Sequence, residues 1–138
     1  MHVLILLAAL AAPPAGFQPA EEGYYAFDTG QLRGRVRVDG KSQGICSLAD
    51  VPSGMELLKT PGVFSYYRIF SAGARYGNAA RDWPVTARVA DGGVLESRFP
   101  PAEDHPLEIT GVFRWVSADT LDLETTVKAQ QELPGFEV

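Results

Sequence analysis

Two stretches late in the chain, Pro106–Val116 and Thr120–Ala129, alternate apolar and polar residues almost without interruption. In the first, Leu107, Ile109, Phe113 and Trp115 fall on one face and Glu108, Thr110 and Arg114 on the other, because side chains alternate sides along an extended backbone. In the second, Leu121, Leu123, Thr125 and Val127 oppose Asp122, Glu124, Thr126 and Lys128. The Ser117-Ala118-Asp119 link suits a hairpin loop, so the pattern predicts two antiparallel strands with both apolar faces on one core.

Strand signals recur upstream at Tyr24–Asp28, Gln31–Val38, Gly44–Val51, Met55–Leu58, Val63–Phe70, Pro84–Ala90 and Val94–Phe99. Between them stand turn signals such as Asp39-Gly40, Pro52-Ser53-Gly54, Pro61-Gly62 and Asp91-Gly92-Gly93, whose residues favour tight reversals. Ser71–Asp82 keeps no period and is expected as a long loop; such loops often carry function. Pro100–Pro106 is a shorter one. No segment longer than about ten residues repeats apolar positions at helical spacing. The expected fold is therefore all-β, an antiparallel β-sandwich. Gly135–Val138 reads as the beginning of a further strand. Either that strand closes the domain, or the domain is truncated there and its open edge pairs with a second copy or another chain.

The 138 residues, 46% of them hydrophobic, suffice for one domain with a real core. A net charge of −5 argues against a nucleic-acid surface, which is usually basic. Residues 1–15 have the order of a signal peptide, the apolar run Val3–Ala12 followed by Pro13-Pro14-Ala15. Cleavage after Ala11 or after Ala15 is compatible with the pattern, as is a misassigned start or a buried apolar segment. The run is shorter than the roughly 20 residues of a spanning helix, so export to the periplasm or outside the cell, without a stable membrane anchor, is expected. Residues 16–23 then form a linker and 24–138 the sandwich. Cys46 is the only cysteine, so no internal disulfide forms, and its apolar neighbours suggest a buried thiol.

Several of these elements, in this order, resemble the first half of the galactose-mutarotase-like supersandwich. The resemblance rests on Leu48-Ala49-Asp50, Ser53-Gly54-Met55-Glu56-Leu57, the Gly-led aromatic stretch, the Asp-Gly-Gly turn, Leu107–Trp115 and Asp119-Thr120-Leu121-Asp122-Leu123. It implies a supersandwich-like fold and a role in binding or processing carbohydrate, as in aldose epimerases and in domains of polysaccharide lyases and glycoside hydrolases. The epimerases resemble one another in an Asn-Arg pair, two histidines and a later Glu. Here Arg75-Tyr76-Gly77-Asn78 stands without an Asn-Arg pair, and only His105 follows the apolar leader. The resemblance therefore carries no catalytic residue onto this chain.

Candidate chemistry concentrates in Tyr66–Trp83. Tyr67, Arg68, Arg75, Tyr76, Arg81 and Trp83 form the expected carbohydrate-binding surface, with His105 beside it: aromatic faces cover sugar rings, and guanidinium groups pair with hydroxyls or uronate carboxylates. Alternation sends Tyr66 and Tyr67 to opposite faces, so part of this set is core. In Glu103-Asp104-His105 a carboxylate beside an imidazole can serve acid–base chemistry, while a solvated loop explains the same residues; no metal site is expected from three consecutive side chains. Arg33, Arg35 and Arg37 share one strand face. They read as partners of an acidic row such as Asp122 and Glu124, or as a site for an anionic sugar or sulfate. Phosphate-binding loops and nucleophile elbows are missing from the sequence, so no cofactor is expected. The alternative to carbohydrate binding is a non-catalytic structural or interaction module that pairs through an edge strand.

Overall fold

The structure, a computed structural model, describes residues 16–41, 43–58, 62–66, 68–76 and 79–138. The expected signal peptide, residues 1–15, lies outside them. Among the described residues eleven strands follow in order: β1 Gln18–Pro19, β2 Tyr24–Asp28, β3 Leu32–Arg37, β4 Gly44–Asp50, β5 Glu56–Leu58, β6 Phe70–Ser71, β7 Ala74–Arg75, β8 Thr86–Ala90, β9 Val94–Phe99, β10 Leu107–Trp115 and β11 Leu121–Ala129. β1 to β5 make one antiparallel meander in chain order. β8 to β11 make a second, and β6 with β7 a small hairpin. The five-stranded and four-stranded sheets pack face to face as an all-β, sandwich-like fold. No helix among the described residues is long and apolar enough to cross a membrane.

The alternation in β10 sets the geometry. Leu107, Ile109, Phe113 and Trp115 are all buried, as are Leu95 and Phe99 on β9. The first sheet answers with Phe27, Val36, Val38 and Ile45. Phe17 enters between the layers, its ring 5.6 Å from Phe27 and 6.3 Å from Phe113 in edge-on contacts. The packed fold thus extends back into the expected linker, because the apolar ring immediately ahead of the polar, Pro-containing segment finds a core, and Gln18–Pro19 pairs with β2. Cys46 is buried where β3 and β4 slip by one residue, so it is the unopposed residue of a β-bulge. Burial raises its thiol pKa.

Sheet one covers only part of the long inner face of β9 and β10. Phe99, Leu107 and Ile109 belong to a second cluster with Tyr66, Ile69, Ala80 and Trp83. Here the sequence expectation fails: the described residues of Val63–Phe70 form no continuous strand. Val63 makes one bridge to Ile45, and Gly44 permits this approach because a Cβ there would meet the Val63 carbonyl at 2.0 Å. Phe64 then takes a left-handed φ of 63°, and the chain leaves the sheet edge to cross over the second cluster. Its backbone is satisfied outside any long ladder, by Ala80 N–H donating to Tyr66, Tyr76 N–H to Ile69, and a mutual bridge between Phe70 and Glu137. That bridge is what becomes of the expected terminal strand, with Phe136 packed on the same cluster.

Between the two clusters runs a row of small residues in cross-strand register, Ala87, Ser97, Gly111 and Thr125. The Tyr66 hydroxyl fills this waist, 3.0 Å from Thr125 Oγ1. Gly111 is needed there, since a Cβ would lie 2.5 Å from that hydroxyl. At the far end, the β10–β11 hairpin is tied to the first sheet by Thr29 Oγ1, which donates to the Ala118 carbonyl at 2.6 Å. Asp119, in that hairpin, accepts from the Ser117 and Thr120 hydroxyls, which hold its carboxyl below the usual range.

Gly111→Ala is expected to cost about 1–3 kcal/mol in urea unfolding through overpacking. The same substitution in a Tyr66→Phe background should cost clearly less, because the clashing oxygen is gone; equal costs would show that the hydroxyl is not the neighbour that matters. A carboxylate with a lowered folded-state pKa stabilises above its unfolded pKa and loses that contribution as pH falls through the folded value. Asp119→Ala should therefore lower Tm near neutrality, and the difference from wild type should shrink below about pH 4.

Candidate ligand groove

Of the residues expected to bind sugar, Trp83 and His105 are buried rather than set on an open surface. Tyr67 lies outside the described residues. Arg68 and Arg75 are exposed, Arg75 on the β6–β7 hairpin. Tyr76 is half-buried against the second cluster. Arg81 sits in a short 3-10 turn, 79–82, with Nε 3.7 Å from the neighbouring Asp82 carboxylate. Trp83 and His105 are brought together, but inside the protein: at 8% and 2% exposure, their rings stack 3.8 Å apart and 5° from parallel. His105 Nε2 donates to the Pro100 carbonyl at 3.1 Å, and Nδ1 faces Asp104 Oδ1 at 2.7 Å. Both ring nitrogens are thus engaged, and the imidazole braces the loop before β10. Among the described residues no three His, Cys, Asp or Glu side chains converge as a metal would require.

A concave surface lies instead on the outer face of the first sheet. Alternation that turns Phe27, Val36 and Leu48 inward turns Ala26, Asp28, Arg33, Arg35, Ser47 and Ala49 outward. Register aligns them in two cross-strand rows, Gln18-Ala26-Arg35-Ser47 and Asp28-Arg33-Ala49-Glu56. Ala26, Ser47 and Ala49 are small, so they form a floor, while longer polar side chains rise around it. The result is a groove of about 540 Å³. Arg33 and Arg35 are two residues apart on β3, about 7 Å along the strand.

The charges here are unevenly committed. Arg35 is paired with Glu21, and Arg37 with Asp39 at 3.4 Å, its guanidinium also lying 5.3 Å from the Tyr24 ring centre. Arg33 has no ion-pair partner among the described residues, although Asp28 is its cross-strand neighbour. The acidic row expected to neutralise these arginines is elsewhere: Asp122 and Glu124 are on β11, in the other sheet. Asp28 and Glu56 stand at opposite ends of a row three strand spacings wide, about 14 Å at the backbone.

The signal for this groove in the sequence is the Arg33, Arg35, Arg37 row. Gln18, Asp28 and Glu56 carry no comparable local signal. Only the meander order, which places five strands side by side, joins them to it.

No protein-family model, no curated protein and no solved structure matches the chain.

Trp83→Ala is expected to destabilise the fold by about 3–5 kcal/mol, as removal of a buried aromatic does. Arg68→Ala and Arg75→Ala, at exposed positions, should stay within about 0.5 kcal/mol. Parallel chemical denaturation of the three variants tests whether the expected surface is part structural support.

Proposed function

We propose that the chain is an exported carbohydrate-binding β-sandwich whose ligand lies along the groove on β1 to β5, and that the ligand is an acidic saccharide bearing carboxylate or sulfate groups. The observation that carries this reading is Arg33, an arginine without an ion pair among the described residues, over a floor of small side chains. A guanidinium offers a planar fork that matches carboxylate and sulfate oxygens and forms charge-assisted hydrogen bonds. Around it, Gln18, Asp28, Ser47 and Glu56 supply donors and acceptors of the kind that bind hydroxyls. Resemblance to supersandwich proteins supports the same ligand class.

Binding without bond cleavage is the better account of the groove. Glycoside hydrolysis by two carboxylates needs them roughly 5–10 Å apart. Asp28 and Glu56 are separated by three strand spacings, and the wider gap suits two subsites along one chain of sugars rather than one reacting bond.

Calorimetric titration with acidic oligosaccharides, uronates and sulfated chains against neutral ones tests the proposal. Arg33→Ala should lower affinity for the acidic ligands about 10- to 100-fold, the range of a charged hydrogen bond worth about 1.5–3 kcal/mol, with the melting curve unchanged. Undetectable binding of every acidic oligosaccharide, or binding indifferent to Arg33→Ala, would exclude the groove as the site.

A further inference from the structure

β11 ends the four-stranded sheet, and its outer edge is unpaired among the described residues. It is nine residues long, as long as β10, and mostly exposed. Such an edge offers a row of free N–H and C=O groups to another strand. Its sequence also identifies an occupant. When Leu121–Ala129 is laid antiparallel against itself with Thr125 on the two-fold axis, Asp122 falls opposite Lys128, Leu123 opposite Val127 and Leu121 opposite Ala129. Each pair joins like faces, since paired residues in an antiparallel ladder point to the same side.

We infer that two copies of this chain pair through β11 in that register, forming one continuous eight-stranded sheet. Charge continuity supports it. On the outer face Lys128 already lies 3.9 Å from Glu108 of its own chain, and Asp122 is the cross-strand neighbour of Arg114. Across the axis the order becomes Glu108, Lys128, then Asp122 and Arg114 of the second copy, so signs alternate without a break. The mirror row repeats this on the other side of the axis. Nearby registers are worse. Centring on Glu124 places that carboxylate opposite its own copy, a repulsive pair, and centring on Thr126 leaves Leu121 and Asp122 opposite residues beyond the strand. The Thr125 register alone pairs every residue of the strand. It also extends the inner row of Leu121, Leu123 and Val127, which β10 and sheet one leave half-exposed.

Sedimentation of the full chain across a concentration series should show a mass twice that of one chain. Asp122→Lys sets two cations facing each other in each cross-axis pair and Lys128→Glu two anions, so each variant alone should sediment as a monomer. An equimolar mixture of the two should recover the dimer, a result that general misfolding of either variant cannot produce. A second measurement fixes the register: Thr125→Cys, in a Cys46→Ala background, should oxidise to a disulfide-linked dimer, since residues facing each other across the axis have Cα atoms about 4.5–5.5 Å apart. A wild-type monomer at every soluble concentration, or a dimer unaffected by either charge reversal, overturns the inference.

Discussion

The inner face of β10 is too long for one partner. Five of its nine residues point into the protein, and four of those are large and apolar. Burying each such side chain contributes on the order of 1.5–3 kcal/mol, so leaving half of the face in water would forfeit much of what stabilises a domain of this size. Sheet one meets the Phe113–Trp115 end, with Phe17 wedged between the layers. The Leu107–Ile109 end is met by an irregular segment and by the chain's last turns. Division of the core into two clusters, the departure of Val63–Phe70 from sheet geometry and the burial of Trp83 with His105 all follow from covering that one strand.

The waist between the clusters shows how the two halves are joined. A row of Ala87, Ser97, Gly111 and Thr125 would be a weak seam in an otherwise apolar core if nothing filled it. Tyr66 fills it with a hydroxyl that has a partner in Thr125, so a buried polar atom costs little. Burial raises the Tyr66 pKa despite that bond, which keeps the phenol protonated and the contact intact at ordinary pH.

Strands with strict alternation were legible in the sequence almost to the residue: β8 to β11 and β2 to β5 follow period-two patterns and turn dipeptides, both of which act locally. Val63–Phe70 misled because aromatic content favours strands only where a neighbour supplies a ladder. Among its described residues the buried ones, Tyr66 and Ile69, are three apart, a spacing that fits neither face of a strand. Trp83 and His105 misled for a related reason. Polar aromatic side chains look alike in sequence whether they face a ligand or each other, and a separation of 22 positions hides a stack 3.8 Å apart. The groove was half legible, because an arginine row on one strand is local information while its neighbours come from four other strands.

The groove's placement also separates what the domain must keep from what it can change. Side chains on the outer face of sheet one share a backbone with the core but little packing, since each strand sends alternate residues to opposite sides. Ala26, Ser47 and Ala49 set the depth of the groove, and enlarging any of them raises its floor while leaving Phe27, Val36 and Ile45 in place. The shape of the groove is therefore open to change by single substitutions with small effects on folding, whereas at the inner position Gly34 a Cβ would meet the Ser47 carbonyl at 2.1 Å and the sheet itself would have to shift.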